Sequence, residues 1–548
     1  MEIIVVLIIL GLGAFIRFVD LTCLPPGLYP DEAMNTTDGL TTAEAGGWKM
    51  FYENNQGREG LYINILGYLL HWFGNSLFIV RFLPALIGSL TLLAIYWIAR
   101  RLMGKFGALA ALGLTAFSYW HLNFSRIGFR AILMVLLTSW VSAFLIEGFY
   151  RLSHKDNLLS KKSGRGSPVG FFIVGGLLLG LSFHTYIAVR IFPAVIIALW
   201  ALALIFFPGH WKSLLKYGLV TIIFAAFTAA PLVLDFIQQP EHFTGRTGNV
   251  SVLKSPNMFS DLGKSVGLTF LSFLFYGDQN WRHNYPYLPL TLPIWGGLIF
   301  AGIAGGVGVF FREAYKKLRG KAITVKTGWQ TLGWCFLIAW WIFLLAPSIL
   351  TNEGLPHALR SIGSLPPTFL LIGFMLDWLA KTKKLKIIIA ALLVLTFIIN
   401  VYAYFFLWGK TEDSFSAFEY RLSGIGIYLR ETIKTAPENN FYLITNQDDF
   451  RTDANLPVPV EPIRFFTWQH RDRLKFIVPD EFDIGQIRNP ASVVFMQDRE
   501  EIIAQIKNRF PGALDSKQPV GFKNNSGKEC FLNSPNAPAA FFTVIQIP

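Results

Sequence analysis

Of the 548 residues, 53% are hydrophobic and only 15% charged, with a mean hydropathy of +0.44. A soluble globular chain is nearer a quarter charged, and a disordered one lacks the aromatic surface that 50 Phe, 16 Trp and 18 Tyr supply, so both classes are excluded. The formal charge of +13 does not point to nucleic acid, because the cations fall in short clusters between apolar runs, the pattern of membrane topology.

The first apolar run, Ile3 to Val19, has no basic stretch before it and no small-residue cleavage site after it, and Pro25-Pro26 follows. It reads as a retained membrane helix. Ten further spans are predicted at about 77–99, 106–122, 131–150, 169–185, 187–207, 217–236, 288–311, 329–349, 366–380 and 387–408, several shorter than the roughly 20 residues a spanning helix usually needs.

With the N-terminus in the cytoplasm, the inner loops collect Arg100, Arg101 and Lys105, then Arg151, Lys155, Lys161, Lys162 and Arg165, then Lys212 and Lys216. The next two hold Arg312, Lys316, Lys317, Arg319, Lys321 and Lys326, and Lys381, Lys383, Lys384 and Lys386. The short outer connections contain only Arg126, Arg130, Arg190 and Arg360. This bias sets the orientation. It places residues 20–76, 237–287 and everything from Gly409 on the extracytoplasmic side. The predicted organisation is an α-helical polytopic unit over 1–408, whose outer loops 20–76 and 237–287 form the site, followed by a small extracytoplasmic α/β domain over 409–548.

Within that tail, Phe441–Thr445, Lys475–Val478, Val493–Met496 and Phe541–Ile547 read as strands, and Ser416–Thr435 and Arg499–Arg509 as helices. It carries no phosphate-binding glycine loop or nucleophile motif, which suits a cap or an acceptor-docking module. The stretch Lys161–Ser167 reads as a flexible cytoplasmic loop. Cys23, Cys335 and Cys530, far apart and odd in number, suggest neither a disulfide framework nor a metal-ligand spacing.

Chemistry is sought in the outer segments. Tyr29-Pro30-Asp31-Glu32 follows a proline-rich turn; adjacent residues cannot share a helix face, so one carboxylate faces a site and the other a structural partner. The plain alternative is a helix N-terminus, which acidic residues after a proline also suit. Arg58 precedes an amphipathic stretch, Ile63 to Phe73, and either anchors at headgroups or forks onto a phosphate. Arg126 and Arg130, four apart, share a helix face at the outer end of a span. Asp278, Arg282, His283 and Asn284 lie together before span eight, and His357 and Arg360 follow span nine. All of them converge on one compartment.

In chain order, the first helix, the loop with Asp31-Glu32, a basic residue before an amphipathic re-entry, Arg81-Phe82-Leu83-Pro84-Ala85 and Phe124-Ser125-Arg126-Ile127-Gly128 resemble the GT-C glycosyltransferases that use polyprenyl-phosphate sugars. These are the protein O-mannosyltransferases, the lipid A aminoarabinose transferases and their bacterial relatives. The likeness covers roughly residues 1–240 and extends more loosely through Arg282-His283-Asn284 and Pro356 to Arg360. It implies a GT-C fold of about eleven transmembrane helices, with Asp31 as catalytic base and Glu32 as its acidic neighbour. Arg58 falls where aminoarabinose transferases place a lysine on the donor phosphate, although Glu59-Gly60 here replaces Pro-Pro.

The implied reaction is transfer of a sugar from a polyprenyl phosphate to a hydroxyl of a glycan, lipid or protein acceptor, inverting by one direct displacement. Asp31 and Glu32 are the catalytic candidates. Arg58, Arg126, Arg282 and His283 are candidates for the donor phosphate, and Tyr29, Asp278, Asn284, His357 and Arg360 for substrate contacts. No cofactor and no catalytic metal are expected, and the partners are the lipid-linked sugar, membrane lipids and the acceptor. The rival reading is a transporter or flippase for a lipid-linked or anionic substrate. That class places ionisable groups at mid-membrane, whereas here Arg17, Glu147, Asp235 and His184 lie near span ends.

Overall fold

The computed structural model describes residues 2–154, 167–249, 251–321, 323–447, 450–452, 455–521, 530 and 540–548. The basic stretch with Lys155, Lys161, Lys162 and Arg165, read as a flexible loop, lies outside the described residues.

The chain is mostly helical. Its first half runs α1 (Glu2–Phe18), α2 (Pro30–Glu44), a two-residue hairpin of β1 (Phe51–Tyr52) and β2 (Arg58–Glu59), α3 (Leu61–Phe73), α4 (Leu77–Leu102), α5 (Lys105–Phe117), α6 (Tyr119–Phe124), α7 (Ala131–Ser153), α8 (Val169–Ser182), α9 (Phe192–Phe206) and α10 (Trp211–Gln238). It continues with α11 (Pro240–Asn249), α12 (Met258–Leu271), α13 (Pro293–Leu318), α14 (Val325–Ile349), α15 (Leu365–Leu379), α16 (Lys383–Tyr402), α17 (Glu412–Ala417) and α18 (Tyr420–Thr435). The tail adds β3 (Asn440–Ile444), α19 (Glu461–Thr467), β4 (Leu474–Ile477), β5 (Ala491–Phe495), α20 (Glu500–Arg509), β6 (Leu514–Pro519) and β7 (Phe541–Ile547).

Each predicted span overlaps a helix, although the one at 106–122 is divided between α5 and α6 at Ser118 and the one at 288–311 is α13, five residues later at its start. Among the described residues eight helices are long and apolar enough to cross a membrane; α1, α5 and α8, with 17, 13 and 14 residues, are shorter. The chain is a multi-pass membrane protein. Its helices pack where lipid offers no hydrophobic gain, through small residues and hydrogen bonds. At the crossing of α8 and α10, a β-carbon on Gly180 would meet the Ala225 carbonyl at 2.0 Å. Beside it the Thr228 hydroxyl donates to the Leu177 carbonyl at 2.8 Å.

The tail forms a five-stranded sheet in the order β4-β3-β5-β7-β6, with β4, β3 and β5 parallel and β7 antiparallel to both its neighbours. Strand pleating sends alternate side chains to opposite faces. Phe441 and Leu443 therefore pack with Ile425 and Leu429 of α18, and Tyr442 and Ile444 with Ile502 and Ile506 of α20. The four predicted strands are present, but β6 escaped prediction because its sequence, LDSKQP, is a polar edge strand without apolar alternation. The helix expected over Ser416–Thr435 is two, α17 and α18, broken at Glu419, whose φ is 51°.

One expectation is overturned: Cys23 and Cys530 form a disulfide across 507 residues of sequence. Distance along the chain hid their proximity, because the tail folds back onto the 20–29 loop. The sheet domain also docks on α2, through α19. The Thr37 hydroxyl donates to Glu461 Oε2 at 2.6 Å, the Trp468 indole to Glu44 at 2.8 Å, and Arg471 pairs with Glu44 at 3.0 Å.

Candidate active site

Asp31 and Glu32 lie in the first turn of α2, where Pro30 needs no partner for a missing N–H and acidic groups complement the helix dipole. The adjacent pair divides in two directions. Glu32 is fully buried, with Oε1 accepting from the Gly128 amide at 2.6 Å and Oε2 from the Tyr29 amide at 3.2 Å. Burial pushes its carboxyl above the usual range, opposed by the charge of Arg81. Asp31 is half-buried and faces a cavity of about 940 Å³; among the described residues its carboxylate takes no hydrogen bond and no ion pair.

The position of α2 is fixed from below by a backbone contact. A β-carbon on Gly67 of α3 would lie 2.1 Å from the Gly39 carbonyl oxygen, so only glycine lets the two helices meet there. The preceding loop is held by arginines. Arg81 donates to the carbonyls of Leu21 (2.9 Å), Pro25 (2.8 Å) and Gly27. Arg126 donates to those of Ile16 (2.8 Å), Arg17 (3.0 Å) and Leu24 (3.0 Å), and lies 5.5 Å from the Tyr404 ring centre. Arg17 reaches Gly13, Ala116 and His121 Nδ1. All three guanidinium groups are sealed from solvent.

Arg58, also buried, pairs with Asp38 and donates to Asn35 Oδ1 at 2.8 Å and to the Asn54 carbonyl at 3.0 Å, tying the β1–β2 hairpin to α2. Arg130 and Arg190 approach Glu59 at 3.4 and 3.6 Å. Arg360 binds Thr351 and Glu353.

Of the residues expected at the donor phosphate, Arg282 lines the cavity with Asp31, while Arg58, Arg126 and His283 do not. The guanidinium of Arg282 lies 4.3 Å from the Tyr29 ring centre, and its Nε donates to Asn280 at 3.2 Å. Its two terminal nitrogens make no hydrogen bond among the described residues. Tyr29 also lines the cavity; burial first, and Asp31 second, push its phenol well above the usual value.

Asp278, His283, Asn284 and His357 lie outside the lining and hold the loop that presents Arg282. Asp278 Oδ2 accepts from the Ala358 amide at 2.7 Å and lies 3.2 Å from His283 Nδ1. Asn284 donates to the Leu288 carbonyl at 2.7 Å, and Asn123 to the Arg282 carbonyl at 3.0 Å. Asp278, His283 and His357 each offer one ligand atom within 4.8 Å of the others, a cluster of metal-ligating side-chain types.

The sheet domain closes the cavity with Asp413, Ser416, Glu419, Phe450 and Arg451. Sequence reasoning missed all of these. It quoted Arg81 only within a motif, although a cation inside an apolar span is itself a signal.

No family model matches the chain. A stretch of 190 residues is 30% identical to the undecaprenyl phosphate-alpha-4-amino-4-deoxy-L-arabinose arabinosyl transferase of Edwardsiella ictaluri, 34% of this chain and 31% of that one. The transferase of the same name from Aeromonas hydrophila subsp. hydrophila is 26% identical over 174 residues, 31% of this chain and 29% of that one. The match thus spans less than a third of either relative. In three dimensions the chain is similar to ArnT from Cupriavidus metallidurans, crystallised with undecaprenyl phosphate. The TM-score is 0.53 and the identity 15%, over 98% of this chain and 97% of that one. The two share a fold, and the resemblance to GT-C glycosyltransferases has a match in sequence and in structure.

Proposed function

We propose that this chain is an integral-membrane glycosyltransferase, moving a sugar from a polyprenyl phosphate to an acceptor hydroxyl with Asp31 as the general base. The observation that carries the reading is one cavity that holds the Asp31 carboxylate and the two terminal nitrogens of Arg282, neither with a hydrogen bond among the described residues, in a fold shared with ArnT.

A sugar on a lipid phosphate already carries its leaving group, so three tasks remain. Asp31 accepts the proton of the attacking hydroxyl, a contribution typically worth about 10²–10⁴-fold. The cavity brings that hydroxyl in line behind the anomeric carbon. Arg282, pre-oriented on the Tyr29 ring, meets the charge that grows on the departing phosphate. One displacement inverts the sugar. Glu32, Arg58, Arg81 and Arg126 act as positioning residues, since their polar groups are already engaged: Glu32 by the Gly128 and Tyr29 amides, Arg58 by Asp38 of α2, and Arg81 and Arg126 by carbonyls of α1 and the 20–29 loop. A metal at Asp278, His283 and His357 would brace the Arg282 loop from outside the lining, and no step is assigned to it.

The cation bias puts the N-terminus in the cytoplasm and the sheet domain outside. The Cys23–Cys530 bond supports the same orientation, because disulfides persist in oxidising compartments. The acceptor is a glycan, a lipid or a protein.

The decisive experiment compares the wild type with Asp31→Asn on a labelled polyprenyl-phosphate sugar. Asn keeps the shape and is also a good residue near a helix start, so expression and lipid-phosphate binding should persist while turnover falls at least about 10²-fold. Near-normal turnover by the variant defeats the assignment.

A further inference from the structure

Phe418 and Glu419 join α17 to α18, and Glu419 adopts φ 51° and ψ 47°, a left-handed conformation that residues with a β-carbon seldom hold. The surroundings hold it there. A β-carbon on Gly27 would come within 2.4 Å of the Phe418 carbonyl, and the Leu28 amide donates to Ser423 Oγ at 2.8 Å. The loop leading to Asp31 is thereby locked to the chain on both sides of Glu419.

The Glu419 side chain is half-buried and lines the same cavity as Asp31 and Arg282. Among the described residues it accepts no hydrogen bond and forms no ion pair. Burial pushes its carboxyl above the usual range, although Arg421 and Arg282 pull it back. A strained backbone position that carries an unpartnered carboxylate into a cavity calls for a functional account rather than a packing one.

We propose that Glu419 is a specificity-determining residue that grips neighbouring hydroxyls of a sugar ring, its two oxygens accepting from two O–H groups at once. This rests on reading the cavity as a glycosyl-transfer site. A carboxylate repels the phosphate, so the division of labour is spatial: phosphate to Arg282, hydroxyls to Glu419. The ring belongs either to the transferred sugar or to the acceptor.

The test uses the full chain with Glu419→Gln and Glu419→Gly, varying donor and acceptor separately. Gln keeps the side chain's shape but removes one acceptor, whereas Gly suits the left-handed backbone and removes the carboxylate altogether. KM for one substrate should rise about 10-fold or more in both variants, with kcat changed less, and the Gly variant should melt no earlier than the wild type. A higher donor KM assigns the grip to the transferred sugar, and a higher acceptor KM to the acceptor. Binding of undecaprenyl phosphate without a sugar should be unchanged. Altered binding of that bare lipid by Glu419→Gln would overturn the proposal by making Glu419 a partner of Arg282, and so would unchanged KM for both substrates. A wild type inert toward every polyprenyl-phosphate sugar tried takes down the transferase reading itself, a failure visible before any variant is compared.

Discussion

The 20–29 loop and the cavity mouth both depend on arginine, but they use it in opposite ways. Beneath the loop, Arg81 and Arg126 are sealed from solvent, and their terminal nitrogens bond main-chain carbonyls. At the mouth, Arg282 rests on a tyrosine ring and leaves both terminal nitrogens without a bond among the described residues. A buried charge persists only when its hydrogen bonds are nearly complete, so the first kind holds architecture. The second kind keeps its capacity for a ligand. Sequence alone ranks the two alike; only the partners separate them.

The comparison can be broken from either side. Arg126→Met should give the largest effect, because it strands the buried carbonyls of Ile16, Arg17 and Leu24. The expected loss is on the order of 3 kcal/mol of stability or more, seen as a depressed melting temperature or as failure to recover folded protein in detergent. An Arg126→Met protein with wild-type melting and weaker donor binding would move Arg126 into the site.

Arg282→Lys should leave melting unchanged and weaken lipid-phosphate binding about 10-fold, because a point charge replaces a fork that can meet two oxygens. Binding measured by competition with undecaprenyl phosphate checks it, and a destabilised variant would place Arg282 with the loop arginines.

The smallest effect concerns the dock on α2. Burial raises the carboxyl of Glu461 above its usual value. A carboxyl raised in the folded state adds stability that is fully present below its unfolded pKa, about 4.3, and is lost as pH rises through the folded value. The seat of the sheet domain should therefore tighten as pH falls from neutral into that window. Glu461→Gln should flatten the dependence, read as the melting temperature against pH.

Apolar runs and cation clusters made the transmembrane half legible, since both are local signals of long period. Asp31 stood out as a candidate for a different reason: two adjacent carboxylates after a proline turn have few roles, and the fold turns one of them into the cavity and the other inward. What stayed hidden was long-range. Nothing near Glu419 distinguishes it from the interior of one continuous helix over Ser416–Thr435, and its break depends on Gly27, nearly four hundred residues earlier. The pairing of Cys23 with Cys530 escaped for the same reason. Arg58 and Arg126 looked like phosphate ligands because their partners, Asp38 and three carbonyls, are brought to them only by the fold.

The glycine contact between α2 and α3 has a mechanical consequence. Helix α3 ends in Trp72 and Phe73, 68% and 70% exposed, and Trp48 stacks on its Tyr68, a set of aromatic rings suited to the headgroup layer of a bilayer. With no side chains between Gly39 and Gly67 to absorb a shift, α2 must follow whatever depth α3 takes. The bilayer thus acts as a gauge: the level at which those rings float determines how far above the hydrocarbon the Asp31 carboxylate stands. The donor proposed for the site, a prenyl phosphate moored by its own tail, would be measured from the same plane.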